Sequence, residues 1–411
     1  MSQPVRPRTS AEILLVTELF PPAIGGSAVL LESVYSRMAD TPVTVLVDPV
    51  ASGGGNGASA RFSSKDDVDR LARRFRLEWL RIDGAKRGLQ SAGELAQHFR
   101  VARAIRHHTR ARPTLVHCGR PLPEGLPALA ARLFGSAGPR YVCWVHGEEV
   151  TAAQTSRELT WLAQRVCRQA EAIIASSGCA ARIVQTLGVS ADRVHIIHPG
   201  VDAARFTADI DATEVRRRLA PSADLLLLSV GRLQSRKGHD LVMHALAALK
   251  DELPRAAYII AGDGRERGRL EDLARSLGVA ERVTFLGKVA DVELPRLYAA
   301  CDIFLMPTRD DNRDIEGFGI VFLEAAAAGR PAIGGRNGGV PEAIEEGVTG
   351  LLVEGHDAGE LARAIKTLAD SAQLRLAMGA AGRERVLRDF SWDRAAKRVE
   401  ALHASLTRDR T

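Results

Sequence analysis

Two glutamates eight residues apart carry the most specific chemical signal in the sequence. Glu316 and Glu324 stand at the two ends of EGFGIVFLE, where a glycine-rich loop runs into an apolar helical stretch. A carboxylate on an apolar helix costs free energy unless a partner or ligand pairs with it. Ionised carboxylates accept several hydrogen bonds, so the pair suits the vicinal hydroxyls of a sugar ring and of a ribose.

A second signal is basic. Arg232 and Lys237 lie in GRLQSRKG, directly after an apolar run that predicts a buried strand. A forked guanidinium and a compact ammonium at the end of a strand form a suitable clamp for a diphosphate. The alternative is a solvated loop with incidental basic residues.

Glycines and a histidine follow strands in the first half of the chain. Gly25 and Gly26 precede a helix whose N-terminal N–H groups suit a phosphate or hydroxyl, although a plain strand–helix turn has the same pattern. His146 ends another strand and precedes Gly147, so it is a candidate catalytic residue, with core packing as its alternative.

Other patterns point away from metal and dinucleotide chemistry. Asp209 and Asp211 form a DxD pair, but they precede a helical stretch and fit an N-cap and surface charge better than a metal site. Gly262-Asp-Gly264 misses the spacing of a dinucleotide motif. The five widely spaced cysteines contain no CxxC, so we expect no disulfide framework, no zinc site and a reducing cytoplasm.

Alternating strands and helices must position these residues. Short apolar runs separated by helical patterns predict parallel sheets covered on both faces. The pattern restarts after HPGVD (198–202), which predicts two doubly wound α/β domains with a hinge near 199–223. The runs that predict strands are 12–17, 43–47, 77–82, 114–118, 141–146, 172–175 and 194–198, then 225–230, 257–261, 283–286, 303–306, 331–334 and 350–353.

Three further segments complete the domain plan. Residues 52–66 suggest a flexible insertion, and 391–407 form an amphipathic helix too far along to belong to the second sheet. The polar N-terminus does not resemble a signal peptide, and no apolar run approaches the length of a membrane span. We therefore expect a cytoplasmic protein with domains over 1–202 and 203–388 and a terminal helix over 389–411.

Charge is divided unevenly between the two halves. Residues 1–202 hold 25 Lys/Arg against 18 Asp/Glu, a balance of +7, whereas residues 203–411 hold 31 against 32, a balance of −1. The basic half favours phosphates or anionic lipid, and no aromatic-lined module supports nucleic acid. Arg100, Arg103, Arg106 and Arg110 share one face of a helical stretch, as either a solvated face or an anionic-membrane contact.

Taken together, the motifs resemble the retaining glycosyltransferases of family 4, which have the GT-B fold. That fold has two Rossmann-like domains facing across a cleft, with a C-terminal helix returning to the N-terminal domain. The resemblance covers nearly the whole chain and is most similar to the phosphatidylinositol mannosyltransferase-like branch, which uses GDP-mannose. It is carried by PPAIGG (21–26), VHG (145–147), HPGVD (198–202), GRLQSRKG (231–238), AGDG (261–264), FLGKV (285–289), DIFLMPT (302–308), EGFGIVFLE (316–324) and GGVPE (338–342).

The resemblance implies a role for each matching residue. Arg232 and Lys237 would bind the donor diphosphate and stabilise the leaving group, Glu316 would hold hydroxyls of the donor sugar, and Glu324 would hold the ribose. His146 would face the anomeric centre from the N-terminal domain. Gly317 replaces a frequent proline, which should loosen the loop. The remaining implied donor contacts are Gly25, Gly26, Gly262, Val289, Gly319, Ile320 and Val321.

The implied reaction uses a nucleotide-sugar as co-substrate and requires neither a cofactor nor a metal. Helix N-termini and the two basic residues would neutralise the departing diphosphate, and a glycan or lipid-linked acceptor would attack from the face that it vacates. The alternatives are a UDP-sugar-dependent family 4 transferase, a GT-B epimerase, which needs no acceptor, and a phosphorylase, which needs inorganic phosphate. A catalytically silent nucleotide-sugar binding protein is the alternative outside enzymes.

Overall fold

The chain folds into two α/β units. A computed structural model describes residues 11–21, 25–47, 50–52, 59–61, 65–83, 85–133, 138–311 and 314–408. Unit 1 comprises Met1–Ile197 together with Trp392–Thr411, and unit 2 comprises His198–Ser391.

Unit 1 is built on a parallel sheet of seven strands in the order β5-β2-β1-β6-β7-β8-β9. The order reverses between β1 and β6, which are hydrogen-bonded neighbours. Two further short strands, β3 and β4, pair antiparallel with each other. The strands of unit 1 are β1 (Glu12–Thr17), β2 (Val43–Val47), β3 (Val50–Ser52), β4 (Ser59–Arg61), β5 (Arg76–Trp79), β6 (Thr114–Cys118), β7 (Tyr141–Val145), β8 (Ala172–Ala175) and β9 (Val194–Ile196).

Helices cover this sheet because its central strands are apolar on both sides. All six residues of β1 and all five of β7 are buried. The longest helix of the group, α3, begins at a capping box in which Ser91 and Glu94 each accept the other's backbone N–H. The helices up to β9 are α1 (Gly26–Tyr35), α2 (Lys65–Ala72), α3 (Ala92–Ala111), α4 (Leu126–Leu133), α5 (Glu148–Ala153), α6 (Arg157–Gln169) and α7 (Gly178–Thr186).

Unit 2 repeats this plan with six parallel strands in the order β12-β11-β10-β13-β14-β15, reversing between β10 and β13. Leu226 and Leu228 of β10 enter one hydrophobic core, and Leu225 and Leu227 enter another, so the sheet is covered on both faces. The strands are β10 (Leu225–Val230), β11 (Ala256–Ala261), β12 (Val283–Gly287), β13 (Ile303–Met306), β14 (Ala332–Gly335) and β15 (Gly350–Val353).

The helices of unit 2 connect these strands and continue beyond the last one. Asp357 and Ser371 cap α14 and α15 by accepting backbone N–H groups of their first turns. The helices are α8 (Thr213–Leu219), α9 (His239–Ala248), α10 (Arg267–Ser276), α11 (Leu294–Ala300), α12 (Ile320–Ala327), α13 (Val340–Ala343), α14 (Ala358–Asp370) and α15 (Ala372–Asp389).

The final helix, α16 (Trp392–Arg408), belongs to unit 1, where it packs against α1. Its buried face includes Val399 and His403. His403 joins a buried chain of hydrogen bonds: its Nε2 lies 2.8 Å from the carbonyl of Ala11, and its Nδ1 lies 3.2 Å from Nε2 of His117. Polar and apolar contacts together tie the end of the chain to the first sheet.

The predicted strands all occur, with small differences at their ends. The run over 77–82 forms β5, which ends at Trp79; this edge strand is half exposed and has a neighbour on one side only. Within the predicted insertion over 52–66, the described residues include the pairing of β3 with β4, while 53–58 and 62–64 lie outside the described residues. No helix among the described residues is both long enough and apolar enough to cross a bilayer.

Candidate functional site

The carboxyl ends of β10 and β13 carry the candidate site of unit 2. Open α/β sheets bind ligands outside the carboxyl ends of the strands, where the strand order reverses. β10 pairs directly with β13, with Leu228 opposite Phe304. The loop after β10 carries Arg232 and Lys237, and the longer loop after β13 leads to Glu316. The topology therefore brings the predicted basic and acidic residues to the same sheet edge.

Glu316 is the centre of a buried ionic cluster. Its Oε2 accepts hydrogen bonds from Nη1 of Arg236, at 2.6 Å, and from Nζ of Lys237. The three side chains are no more than about one-tenth exposed. Burial opposes ionisation of Glu316, but the charges of Lys237 and Arg236 outweigh burial and lower the pKa of this carboxyl to about 2. Glu316 is therefore a carboxylate at neutral pH.

The loop after β10 is held against the loop after β13 by close backbone packing. Gly238 has a φ of 73°, and a Cβ there would lie 2.1 Å from the carbonyl oxygen of Pro307. The backbone N–H of Arg309 donates to the carbonyl of Arg236 at 2.9 Å. Only glycine fits both the left-handed backbone and the close approach. This packing fixes the position of Lys237 one residue earlier.

A second tight turn orients Glu316 and starts α12. Gly319 has a φ of 87°, and a Cβ there would lie 2.6 Å from the ring of Phe322. The N–H of Gly339 donates to the carbonyl of Glu316 at 2.9 Å, which links EGFG to GGVPE. The turn places Ile320 and Val321 in the first turn of α12, where backbone N–H groups lack intrahelical acceptors.

Glu324 occupies a different electrostatic environment, on the apolar helix α12. Its Oε2 accepts a hydrogen bond of 2.6 Å from the hydroxyl of Tyr298, and the described residues donate no hydrogen bond to its Oε1. Burial raises the pKa of Glu324 to about 7, although the Tyr298 hydrogen bond and the Arg205 charge oppose the shift. Glu324 therefore titrates near neutral pH, whereas Glu316 does not.

The remaining donor candidates of unit 2 follow other strands of the sheet. Arg232 is exposed, in contrast to Lys237, which is 9% exposed. Gly262 directly follows β11 and packs on the carbonyl of Gly231, where a Cβ would lie 1.8 Å away. Val289 is half-buried and lies two residues beyond β12.

In unit 1 the predicted residues also follow strands. His146 comes directly after β7 and is 7% exposed. Its backbone N–H donates to Oε1 of Glu149 at 2.7 Å, and its ring is stacked with Trp144. Among the described residues, its buried Nε2 has no hydrogen-bond partner. Such an atom is unusual in a folded core and marks His146 as a candidate for ligand contact.

Gly25 and Gly26 mark the start of α1, near the end of β1. Gly25 is the residue before the first turn, and Gly26 is exposed. Residues 22–24 of PPAIGG lie outside the described residues.

The arginines of α3 do not form one uniform exposed row. Arg103 and Arg110 are exposed, as predicted, and Val101 and Ile105 are buried on the opposite side. Arg106 is half-buried and donates to the carbonyl of Ala131 at 2.8 Å, so it ties α3 to the end of α4. Arg100 is exposed but donates to the carbonyl of Arg81. Arg106 is therefore held against α4 and does not fit the predicted solvated or membrane-facing row.

Asp209 and Asp211 make local contacts. Asp209 accepts from the hydroxyl of Thr207, and Asp211 accepts from the backbone N–H of Thr213, the first residue of α8. The N-cap itself is Ala212, so Asp211 lies one residue earlier than the predicted cap. No group of three or more histidine, cysteine, aspartate or glutamate side chains arranged for a metal ion occurs within the described part of the chain.

Sequence analysis missed Arg236 and Tyr298, the protein partners of the two glutamates. Arg236 stands beside Lys237 in the same motif, but neighbouring basic residues in a loop do not reveal which one is buried. Tyr298 precedes Glu324 by 26 residues, and nothing in their spacing indicates a contact. The only available signal was the expectation that an acid on an apolar helix needs a partner.

Two family models match the chain, one over each unit. A family model described as Glycosyltransferase Family 4 matches residues 24–205, and one described as Glycosyl transferases group 1 matches residues 211–385.

Two curated relatives match along nearly their whole length. Both are GDP-mannose-dependent alpha-(1-6)-phosphatidylinositol monomannoside mannosyltransferases. The one from Mycobacterium tuberculosis is 34% identical over 393 residues, covering 95% of this chain and 97% of the relative. The one from Mycolicibacterium smegmatis is 32% identical over 395 residues, covering 95% and 98%.

Among solved structures, Anabaena HepE in complex with UDP has a TM-score of 0.77 at 22% identity. The alignment covers 96% of this chain and all of that one. At this identity the similarity concerns the fold, which is that of the GT-B enzymes.

Proposed function

The chain belongs to glycosyltransferase family 4 and is a glycosyltransferase, and from this premise we propose that it transfers mannose from GDP-mannose, with retention of configuration, to a lipid-linked or glycan acceptor. The reaction needs no metal ion in this proposal. The observation that carries the proposal is the cluster of Lys237, Arg236 and Glu316 at the strand-order reversal of unit 2.

The donor would be held by residues of opposite charge at one sheet edge. Arg232 and Lys237 supply positive charge for the diphosphate, which gains negative charge as its bond to the anomeric carbon breaks. Glu316, ionised at neutral pH, accepts hydrogen bonds from the sugar hydroxyls. Glu324 offers its Oε1 to the ribose hydroxyls. Charge stabilisation of the leaving group is the main contribution of the protein to the rate.

The choice of GDP-mannose rests on the relatives. Both long matches are named as GDP-mannose-dependent mannosyltransferases, and each spans about 95% of this chain. The alternative donor class is a UDP-sugar, because the fold neighbour HepE is described in complex with UDP. HepE shares only 22% identity, so its ligand carries less weight than the names of the relatives.

A lipid-linked acceptor agrees with the charge and surface of unit 1. The relatives are named for a phosphatidylinositol monomannoside acceptor. Residues 1–202 carry a balance of +7, and α3 presents Leu95, 50% exposed, and Phe99, 68% exposed, beside its exposed arginines. Apolar side chains next to basic ones are typical of helices that rest on anionic membranes. We therefore place the enzyme at the cytoplasmic membrane surface.

A thermal-shift panel of GDP-mannose, GDP-glucose, UDP-glucose and UDP-galactose tests the donor. A ligand at 100 times its Kd stabilises the folded state by about 2.7 kcal/mol, which suffices to rank the donors. GDP-mannose should give the largest shift, and Lys237→Ala should reduce it, whereas the exposed Lys250→Ala should not. A larger shift with a UDP-sugar would refute the GDP assignment.

Metal independence and stereochemistry need separate assays. Turnover should persist in EDTA, and loss of activity that Mn²⁺ or Mg²⁺ restores would contradict the metal-free mechanism. NMR of the product should show the anomeric configuration of the donor retained.

A further inference from the structure

Unit 1 holds an ionic cluster at its own strand-order reversal, between β1 and β6. Glu18 directly follows β1, and Arg120 follows β6 by two residues. Val16 lies opposite Cys118 in the ladder, so Glu18 and Arg120, each two residues further on, leave the sheet at the same level. This is the place where open α/β sheets bind ligands.

The cluster is buried and has a defined geometry. Nη2 of Arg120 donates to Oε2 of Glu18 at 2.6 Å and to Oε1 of Glu124 at 3.0 Å, and Nε also faces Glu124. The backbone N–H of Glu18 donates to Oε1 of Glu124 at 3.1 Å. Glu18 is 4% exposed, Arg120 9% and Glu124 0%. Glu124 therefore fixes both the guanidinium and the strand end that carries Glu18.

Part of the hydrogen-bonding capacity of this cluster is unused by the protein. The described residues supply no acceptor for the two N–H groups on Nη1 of Arg120, and they donate no hydrogen bond to Oε1 of Glu18. Neither atom is among the fully buried polar atoms that lack a partner, so both are accessible at this sheet edge. An accessible donor and an accessible acceptor left open in one cluster suit a ligand that can both donate and accept. Directly after the neighbouring strand β7, the buried Nε2 of His146 has no partner among the described residues.

The charge of the cluster indicates whether a neutral or an anionic ligand would bind there. Two carboxylates are hydrogen-bonded to the guanidinium of Arg120, and Arg87 brings the formal charge of the four side chains to zero. Burial raises the pKa of Glu18, and the charge of Glu124 adds to this shift, while Arg120 and Arg87 oppose it. An anion entering here would meet carboxylates that already compensate the guanidinium, so a phosphate is disfavoured. A neutral hydroxyl can accept from Nη1 and donate to a carboxylate oxygen.

We propose that Glu18 and Arg120 form the subsite that binds a hydroxyl group of the acceptor's neutral polyol ring, a sugar or a cyclitol, with Glu124 as the residue that positions Arg120. The inference rests on the proposed function, because it assigns to unit 1 the recognition of an acceptor. In this proposal the cluster binds only hydroxyl groups of the acceptor, and other residues bind any phosphate that the acceptor carries.

Acceptor kinetics with octyl α-D-mannopyranoside as the acceptor and GDP-mannose as the donor test the subsite. Glu18→Gln and Arg120→Lys should each raise the acceptor KM about tenfold or more, since a hydrogen bond to a charged group is lost or displaced. The stabilisation by GDP-mannose in a thermal-shift assay should stay within the range of the parent protein. Inorganic phosphate should not compete with the acceptor.

Glu12, the first residue of β1, and Arg112, two residues before β6, provide matched controls. They form an ion pair of 3.0 Å at the opposite ends of β1 and β6. Glu12→Gln and Arg112→Lys should leave the acceptor KM within about twofold of the parent value, because neither residue belongs to the proposed subsite. A change this small is less than the loss of a ligand contact would produce. If Arg120→Lys does not fold, Glu18→Gln still tests the proposed subsite, because glutamine keeps the shape of the side chain.

An unchanged acceptor KM in folded Glu18→Gln would overturn the inference, and so would competition by phosphate that this substitution removes. Saturation-transfer NMR of methyl α-D-mannopyranoside and myo-inositol with the parent protein gives a readout that does not depend on the donor. Binding that Glu18→Gln abolishes supports the subsite, and no binding of either polyol contradicts it. Failure of GDP-mannose to stabilise the parent would instead refute the proposed donor.

Discussion

Arg236 donates from Nη1 to Oε2 of Glu316 across 2.6 Å, and both residues are buried, with 4% and 8% of their surfaces exposed. Lys237 donates to the same oxygen. If Lys237 turns away to bind a donor diphosphate, Arg236 still provides a positive charge beside Glu316. The carboxylate then remains ionised and oriented toward a sugar hydroxyl while the lysine neutralises the leaving group.

Substitution of Arg236 should therefore act through Glu316. Arg236→Gln should lower kcat/KM about tenfold or more, because a buried charge pair loses one partner. The acid limb of the pH profile should move upward, since the Arg236 and Lys237 charges hold the pKa of Glu316 near 2. Arg236→Lys should restore part of the loss. Arg218→Gln, at an exposed position, serves as control, and an unchanged acid limb in Arg236→Gln would refute the positioning role.

The diphosphate clamp should affect turnover more than binding. Arg232→Ala and Lys237→Ala should each lower kcat on the order of 100-fold, the usual cost of removing one preorganised group at a developing charge. The effect on donor Kd should be smaller, because the charge on the diphosphate grows as the bond breaks. Single-turnover kinetics and donor titrations separate these quantities. A variant that loses affinity but keeps kcat would assign its residue to ground-state binding alone.

Glu324 should make donor binding pH-dependent. Burial holds the pKa of Glu324 near 7 in the free enzyme, so at pH 6 about one molecule in ten has the carboxylate that, in the proposed role, would accept the ribose hydroxyls. The affinity for GDP-mannose should rise about tenfold from pH 6 to pH 8, with proton release on binding at pH 6. Calorimetry in buffers of different ionisation enthalpy measures both effects.

The matching substitution is Glu324→Gln, which should bind the donor weakly and without this pH dependence. The raised pKa also affects stability. Below pH 4.5 Glu324 is protonated in both the folded and the unfolded states; between pH 4.5 and 7 the unfolded chain ionises while the folded protein keeps the proton, so the free energy of unfolding falls as pH rises. Glu324→Gln should remove this decline in denaturation curves. Equal pH dependence in parent and variant would refute the assignment.

Unit 1 should bind anionic vesicles. Flotation with phosphatidylcholine vesicles that contain increasing phosphatidylglycerol should recover more protein, and added salt should reduce the recovery. Arg103→Gln with Arg110→Gln should weaken binding, and Phe99→Ser should weaken it further, because all three are exposed on α3. Arg217→Gln with Arg218→Gln on α8 of unit 2 is the charge-matched control. Equal recovery with neutral and anionic vesicles would refute the membrane contact.

The last helix should contribute to the stability of unit 1. Val399 is fully buried on α16, so Val399→Ala should lower the free energy of unfolding by about 2 kcal/mol through lost burial and a small cavity. Lys397→Ala, two residues earlier and exposed, should change it by less than about 0.5 kcal/mol. Chemical denaturation followed by circular dichroism measures both. Equal effects would mean that α16 does not pack as described.

Local pattern was enough to predict the sheets. Strands buried on both faces form continuous apolar runs, and so β1, β2, β6, β8, β10, β13 and β15 coincide with their predicted bounds. The half-exposed edge strand β5 and the short antiparallel pair of β3 and β4 were less well predicted, because they lack such runs. Motif spacing also singled out Lys237, Glu316 and Glu324 as candidates, since residues in one loop or helix keep their separation after folding.

The sequence by itself thus determined the strands, the two α/β units and the loops that carry the candidate site residues. Only the tertiary structure decided which charges meet. The pairs Arg236–Glu316, Tyr298–Glu324 and Arg120–Glu18 join residues that are 80, 26 and 102 positions apart. Each contact depends on which strands become neighbours and which side chains become buried. Burial then separates two similar glutamates, because Glu316 has cations beside it and Glu324 has a tyrosine hydroxyl.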